Sequence, residues 1–387
     1  MKSLLLYLFV MTLLFSCDDR RFYSVDSLRV VEVPENADSL LCSGVITNRA
    51  GIRNVLSAGK YLIVVQDCGD TIFKIIDVKC DSVIAGFGQV GRASNEFSQV
   101  PCFYYISSDE EGKDLLYVQE LDRTKVIDLE KSIKESKCVV RRTILESDSP
   151  ITHACLHINQ NEKMVDKAVA FSDARELTME RPAYTHYKNR TEEKVWNIYP
   201  ALVDVDNPNL LKLLYIDRLF VKKDGTKALS MMKFIDHLTI FNLHTGKTLG
   251  LVDSHSYGFD FLNEEITSDN YLEKLKIYNM AACVNDDYIL MLKDCRLYKD
   301  MVASTDDAYS SRISVLDWDG AFLSSFVVDR SLWDIAYVES ANALYGVSLN
   351  LDKIYLISAA LYFNVFYKCL SNKKLLRILP CQKFHLS

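Results

Sequence analysis

The strongest constraint on the fold of this chain is a unit that recurs from residue 60 onward. In each copy an apolar run ends in a polar turn, and a second run ends at an acid or an amide. Tyr61–Val65 leads through Asp67 and Asp70 to Ile72–Ile76. Leu115–Val118 leads to Val126–Ile127, and Ala228–Met232 leads through Asp236 to Leu238–Phe241. Tyr288–Leu292 reaches Ile313–Leu316 only after a long insertion, and Leu344–Val347 leads through Asp352 to Ile354–Ile357. A weaker sixth copy spans Ala168 to Trp196. Period-two runs separated by turn residues are hairpins. Their starts near 61, 115, 168, 228, 288 and 344 lie 53 to 60 residues apart. That is long for a WD40 blade of about 45 residues and closer to kelch-like blades. The expectation is an all-β chain, a six-bladed β-propeller over residues 28–358. Blades in such a fold hide their faces against one another and leave only short edges. A decorated β-sandwich is the alternative, and the recurring acid-turn hairpin weighs against it.

The N-terminus carries its own signal. Lys2 precedes an apolar run, Leu4 to Leu14, which has the length of a secretory h-region and is too short to cross a bilayer. Leu14-Phe15-Ser16-Cys17 resembles a bacterial lipobox. The expectation is a signal peptide over 1–16, lipidation at Cys17, and a linker over 17–27 leading to a first strand at Leu28–Val33. Acyl chains add about 0.8 kcal/mol of membrane affinity per buried CH₂. Asp18 and Asp19 resemble the sorting signals of Bacteroidetes lipoproteins, although acids at this position elsewhere imply inner-membrane retention. The expected location is the cell envelope, most simply the outer membrane, with the face left open. The formal net charge of −7 argues against binding nucleic acid.

One stretch ties these features to a family. Val83 to Phe97 reads VIAGFGQVGRASNEF. It resembles the G-x-G-x-G-P-N-E-F stretch of the TolB-like, six-bladed NHL-type propeller lipoproteins of Bacteroidetes. Ile335–Val347 is similar to the final-blade signature of that group. The resemblance runs from Cys17 to Ile357 and implies a fold and an envelope location, but little chemistry. The chain departs from the pattern at Ala93, where the group has Pro, over residues 160–185, and in a basic, aromatic tail over 359–387.

Gly86, Gly88 and Gly91 also match the dinucleotide fingerprint in spacing. That motif works through a helix beginning at the loop, and Ser94 to Pro101 has no helical periodicity. The glycines are therefore expected to build a blade junction with Asn95, Glu96 and Phe97: Phe97 as an apolar anchor, Glu96 as an acceptor for backbone N–H groups. No nucleotide partner is expected.

Few other motifs point to chemistry. His153, Cys155 and His157 share one face of a strand, but successive same-face positions are about 6.5–7 Å apart, wide for three ligands of one ion. They are weak metal candidates. No cofactor is expected; Ca or Zn held by His153 and His157, or by acids lining a propeller channel, is the alternative. The acids at hairpin turns (Asp67, Asp70, Asp122, Asp236, Asp317, Asp319 and Asp352) are expected to close Asx turns. The cysteines after Cys17 form no C-x-x-C pair and are expected to be small buried hydrophobes. Ser268–Ile277 is expected to form a short helix capped by Ser268 or Asp269. The insertion Arg296–Arg312 is long enough to suggest function, with Tyr298, Lys299, Asp306, Asp307 and Tyr309 as candidate binding residues. The functional expectation is a monomeric, membrane-anchored module that binds a protein, peptide or glycan, possessing no catalytic residues. The alternative is a metal-assisted hydrolase or lyase, and a third idea is a solute sensor working with an outer-membrane uptake system.

Overall fold

The computed structural model describes residues 24–34, 37–43, 45–48, 51–101, 103–120, 123–145, 155–159, 161–166, 184–198, 213–254, 270–303 and 309–358. The apolar leader, Cys17 and the tail over 359–387 lie outside the described residues. Three strands come first: β1 (Ser27–Val31), β2 (Asp38–Leu40) and β3 (Val45–Asn48). Blade one follows as β4 (Ile52–Ala58), β5 (Tyr61–Gln66), β6 (Phe73–Asp77) and β7 (Ser82–Phe87). Blade two is β8 (Phe103–Ser108), β9 (Asp114–Gln119), β10 (Arg123–Asp128) and β11 (Val140–Leu145). Blade three is β12 (Cys155–His157), β13 (Glu162–Asp166), β14 (Tyr184–Lys188) and β15 (Thr191–Trp196). Blade four is β16 (Asp217–Val221), β17 (Lys227–Met232), β18 (Leu238–Asn242) and β19 (Thr248–Asp253). Blade five is β20 (Asn279–Val284), β21 (Tyr288–Lys293), β22 (Ser311–Asp317) and β23 (Phe322–Val328). Blade six is β24 (Leu332–Val338), β25 (Ala343–Ser348) and β26 (Lys353–Ser358). Each blade is a separate sheet with its strands in chain order, so the fold is a six-bladed β-propeller.

The foreseen hairpins are the second and third strands of blades one, two, four, five and six. The sixth copy begins earlier than Ala168, at Glu162. Its second strand, Glu162-Lys-Met-Val-Asp166, has three charged residues in five and so shows no apolar run.

Why the second strands are continuously apolar is clearest in β5. Leu62 and Val64 are buried in a cluster with Val338, Tyr345, Val347 and Ile354 of blade six. Ile63 and Val65 are buried in a different cluster with Phe87, Phe97, Leu116 and Ile127. Alternate side chains of a strand point to opposite faces. A blade covered on both faces therefore needs apolar residues at every position, each contributing about 1.5–3 kcal/mol on burial.

Two of the N-terminal strands lie parallel along the last strands of later blades. β1 pairs with β19 of blade four, and β2 with β23 of blade five. β3 pairs antiparallel with β26 and supplies the fourth strand that blade six lacks. Asp26 locks β1 in place: its N–H donates to Thr248 Oγ1 at 2.9 Å, and the Thr248 N–H donates to Asp26 Oδ2 at 2.7 Å. Covered edges are edges that cannot pair with other chains. The remaining last strands are managed differently: β15 carries Glu192, Glu193 and Lys194, β11 carries Arg141 and Arg142, and β7 has a bulge opposite Ile75 and Ile76.

The chain divides into two compact units. One holds blades three and four with β1. The other holds blades one, two and six with β2 and β3, and blade five from Met280.

Short helices fill some connections. α1 (Leu129–Glu135) was not foreseen; Asp128 caps it, accepting from the Lys131 N–H at 3.0 Å. The helix expected over Ser268–Ile277 is α2 (Tyr271–Lys274). Its first turn closes on the Asn270 carbonyl, which accepts from Glu273 and Lys274. Ser268 and Asp269 lie outside the described residues.

Candidate functional site

The first strands of successive blades touch one another, β24 against β4 and β4 against β8. A row of polar side chains crosses them. Tyr104 of β8 donates its hydroxyl to Asn54 Oδ1 of β4. Asn54 Nδ2 donates to Asp334 Oδ2 of β24 at 2.7 Å, and the Val55 N–H reaches the same oxygen at 3.1 Å. Asp334 is buried, whereas Asn54 and Tyr104 are half-buried.

Local backbone irregularity builds this row. The β4–β5 register shifts between Ile52 and Asn54, and the β24–β25 register shifts between Leu332 and Asp334. Each bulge inserts one residue, Arg53 in one strand and Trp333 in the other. Bulges re-aim side chains and concentrate beside functional sites. Both inserted residues are half-exposed. Arg53 is held by Asp67, Nε to Oδ2 at 3.1 Å. The three side chains thus hold one another in fixed positions, with the half-exposed Arg53 and Trp333 next to Asn54 and Asp334 in sequence.

Cys283 of β20 stands near Asp334. Burial pushes its thiol up to about 12, with the Asp334 charge adding to the effect and the Tyr337 N–H opposing it. A thiol in that state is not a nucleophile at neutral pH.

The Gly86–Phe97 stretch is placed at the turn from blade one to blade two. Phe97 is fully buried and meets Phe73 edge-on, with ring centroids 5.9 Å apart. The Phe97 N–H donates to Gln89 O, and the Gly91 N–H donates to Phe97 O, both at 2.8 Å. Glu96 accepts from the Ala93 N–H at 2.9 Å. Gly88 has φ +79°, and an added Cβ would lie 3.0 Å from Phe97 and 3.1 Å from Phe73. At Gly91 an added Cβ would lie 2.0 Å from Glu96 Oε2. Gly86 packs in the same way against Thr71, and Asn95 is exposed. Below the loop, Lys125 and Glu120 form a buried ion pair at 2.9 Å, with the ammonium over the Phe97 ring.

The insertion after β21 forms α3 (Tyr298–Val302). Tyr298 packs edge-on against Phe234, Lys299 is exposed, and Tyr309 is exposed. Asp306 and Asp307 lie outside the described residues. Of the strand ligands, His153 also lies outside them. His157 is buried, with its Nε2 3.7 Å from Cys155 Sγ. Among the described residues no group of three or more His, Cys, Asp or Glu is placed to hold a metal ion.

Turn acids act as the sequence suggested at Asp317, which accepts from the Asp319 and Ala321 N–H groups at 2.9 and 2.7 Å. Asp352 instead accepts from the Ser348 hydroxyl at 2.8 Å, Asp67 pairs with Arg53, and Asp236 is buried. Asp122 lies outside the described residues. The cysteine expectation needs correction. Cys138 and Cys155 are buried, but Cys68, Cys80 and Cys295 are exposed, because they occupy turns and a left-handed residue after β21.

Sequence reasoning missed Asn54, Tyr104 and Asp334. The available signal was a carboxylate opening the apolar run Ile335-Ala-Tyr-Val338. A buried acid there requires donors from a neighbouring strand.

Fold and site together define a propeller with a polar row on its first strands. No protein-family model matches the chain, and no curated protein matches it in sequence. Among solved structures it is similar to a Bacteroides fragilis protein described as a candidate exported protein, with 10% identity and a TM-score of 0.51. That similarity covers 86% of this chain and 99% of the other. It is also similar to a DUF4221 family member from Bacteroides vulgatus, with 10% identity, a TM-score of 0.50, and coverage of 84% and 98%.

Proposed function

We propose that this chain is an exported, lipid-anchored binding module of the TolB-like propeller type. In this reading it is tethered to the cell envelope through Cys17 and recognises a protein, peptide or glycan on the first strands of its blades. The observation that carries the binding role is the row Tyr104–Asn54–Asp334, flanked by the two bulged residues Arg53 and Trp333. Bulges stand at matching positions of the two first strands, and the inserted cation and large aromatic are half-exposed beside the row. Arginine and tryptophan are the side chains that most often anchor binding interfaces. Export is supported by the leader and Cys17, and by the likeness in fold to the Bacteroides fragilis protein.

The binding role is tested by screening the purified full chain against glycan and peptide arrays. Saturable binding to one class is expected. Absence of binding to either, together with substrate turnover dependent on added Ca or Zn, would overturn it. The anchor is tested by fractionation. Cys17→Ala is expected to move the protein from membranes to the soluble fraction, and unchanged membrane retention would contradict lipidation.

A further inference from the structure

The hairpin turns at one end of blades three and four form a continuous surface. The β12–β13 and β14–β15 turns meet where the Asn189 N–H donates to the Asn161 carbonyl at 2.7 Å. The β16–β17 turn packs on the first of these, since a Cβ added at Gly225 would lie 3.1 Å from Ile158 Cγ2. It is joined to the β18–β19 turn by the Leu243 N–H, which donates to the Thr226 carbonyl at 3.0 Å. β15 runs beside that last turn. Trp196 Nε1 donates to the Gly246 carbonyl at 2.9 Å, and a Cβ added at Gly246 would lie 3.5 Å from Lys194 Cε.

This surface is basic in a chain whose formal net charge is −7. The four turns carry Lys188, Arg190, Lys222, Lys223, Lys227 and Lys247. Against them stand Glu162 and Asp224, with Asp26 beside Thr248. Glu162 holds Lys188 at 3.0 Å, and Asp224 holds Lys222. Cations outnumber acids in these turns, so the excess of positive charge does not depend on how they pair. Lys188, Arg190, Lys223 and Lys247 are exposed, and so is Lys194 beside them. Glu192 and Glu193 precede Lys194 on β15, so the excess is concentrated at the turns rather than along the blade edge. A basic cluster of this kind attracts surfaces rich in phosphate.

The N-terminal chain enters at the same end. β1 runs parallel to β19 with Ser27 opposite Leu249, so it begins beside the turn that ends at Lys247. Asp26 is tied to Thr248 by three hydrogen bonds. It follows Cys17 by nine residues, which span at most about 32 Å when fully extended. An anchor at Cys17 therefore holds the basic turns close to a bilayer. The residues after Cys17 do not oppose this, because Asp18-Asp19-Arg20-Arg21 carries no net charge.

We propose that the basic turn end of blades three and four lies against an anionic lipid surface and sets which way the propeller faces on its membrane. The inference rests on the reading of Cys17 as the anchor. A tether alone leaves the protein free to present any side to the bilayer. Tethering also keeps the headgroup concentration around the protein high, so a weak attraction is enough to choose one side. Each lysine at an anionic surface strengthens the contact about fivefold.

The test is lysine acylation of the full chain, purified from membranes and reconstituted in phosphatidylglycerol–phosphatidylethanolamine vesicles, with each site read by mass spectrometry. Every lysine is referred to its own rate in the detergent-released chain. Lys194, Lys223 and Lys247 are expected to react at least about fivefold more slowly in the vesicles. Lys233, at the opposite end of blade four between β17 and β18, is expected to keep its rate. The protection is expected to fade in about 1 M salt, where the screening length falls to about 3 Å. Unchanged rates at the three lysines, or protection of Lys233 instead, would overturn the proposal. Protection in native membranes that is missing from vesicles of purified lipid would assign the surface to an acidic protein and overturn it equally. Whether Cys17 carries lipid is read separately, from the mass of the N-terminal peptide. If it carries none, the anchor reading fails and a second arm decides the surface. In the Cys17→Ala chain, adding Lys194→Glu, Lys223→Glu and Lys247→Glu is expected to lower co-sedimentation with the anionic vesicles at least about tenfold. Equal co-sedimentation of the two chains, with equal urea midpoints, would overturn the proposal.

Discussion

Lys125→Met tests whether the junction of blades one and two is held as described. Lys125 and Glu120 have side chains only 6% and 5% exposed, and their charges meet at 2.9 Å. The ammonium also donates to the Glu96 carbonyl and lies 4.9 Å from the Phe97 ring centre. Removing one partner of a buried pair costs about 3–5 kcal/mol, because the other charge stays buried. Here Glu120 Oε1 keeps the Ser98 N–H at 2.8 Å and the Ser98 hydroxyl at 3.1 Å. The loss should therefore sit near the low end, about 3 kcal/mol. With an m-value of about 3 kcal/mol/M, the urea midpoint falls by about 1 M. The pH dependence sharpens the test. Burial alone would raise the Glu120 pKa, but the Ser98 N–H and Lys125 hold it below the usual carboxylate range. The wild-type pair thus contributes stability above the unfolded pKa and loses it as pH falls through the folded one. In Lys125→Met the buried acid loses its cation and protonates more readily, so the deficit should shrink as pH is lowered toward about 5. A deficit under about 1 kcal/mol, or one that does not change with pH, would refute the reasoning.

Other substitutions probe other parts of the fold. Gly88→Ala forces φ +79° on an alanine and presses its Cβ onto Phe97 and Phe73, so a loss of about 2 kcal/mol or more is expected in the same assay. Phe97→Ala should cost about 3–5 kcal/mol, since the ring is fully buried. Thr248→Val removes the hydroxyl that joins Asp26 and should cost about 1 kcal/mol, with faster amide exchange along β1 as its signature.

Much of the propeller was legible because a second strand covered on both faces must be apolar at every position. Tyr61–Val65 and Tyr288–Leu292 show it plainly. Blade three was harder to see, because Glu162-Lys-Met-Val-Asp166 carries charges that only its tertiary partners accommodate. The closure by β3 left no local trace: Val45–Asn48 is an ordinary short strand sequence, and only β26 gives it meaning. The candidate site was hidden for a related reason. Asn54, Tyr104 and Asp334 are far apart in sequence and come together only where first strands touch. The bulges that expose Arg53 and Trp333 are departures from period two, which a periodicity argument reads as noise.

The central claim is recognition through the first-strand row, and binding by Trp333→Ala and Arg53→Ala tests it most directly. Trp333 also packs against the core shared by blades one and six, so the urea midpoint of each variant is measured as well and binding is compared where both variants are folded. With the ligand identified on the arrays, each substitution is expected to weaken binding at least about tenfold, matching the loss of about 1.4 kcal/mol or more typical of an anchor residue. Wild-type affinity in both variants would contradict the claim.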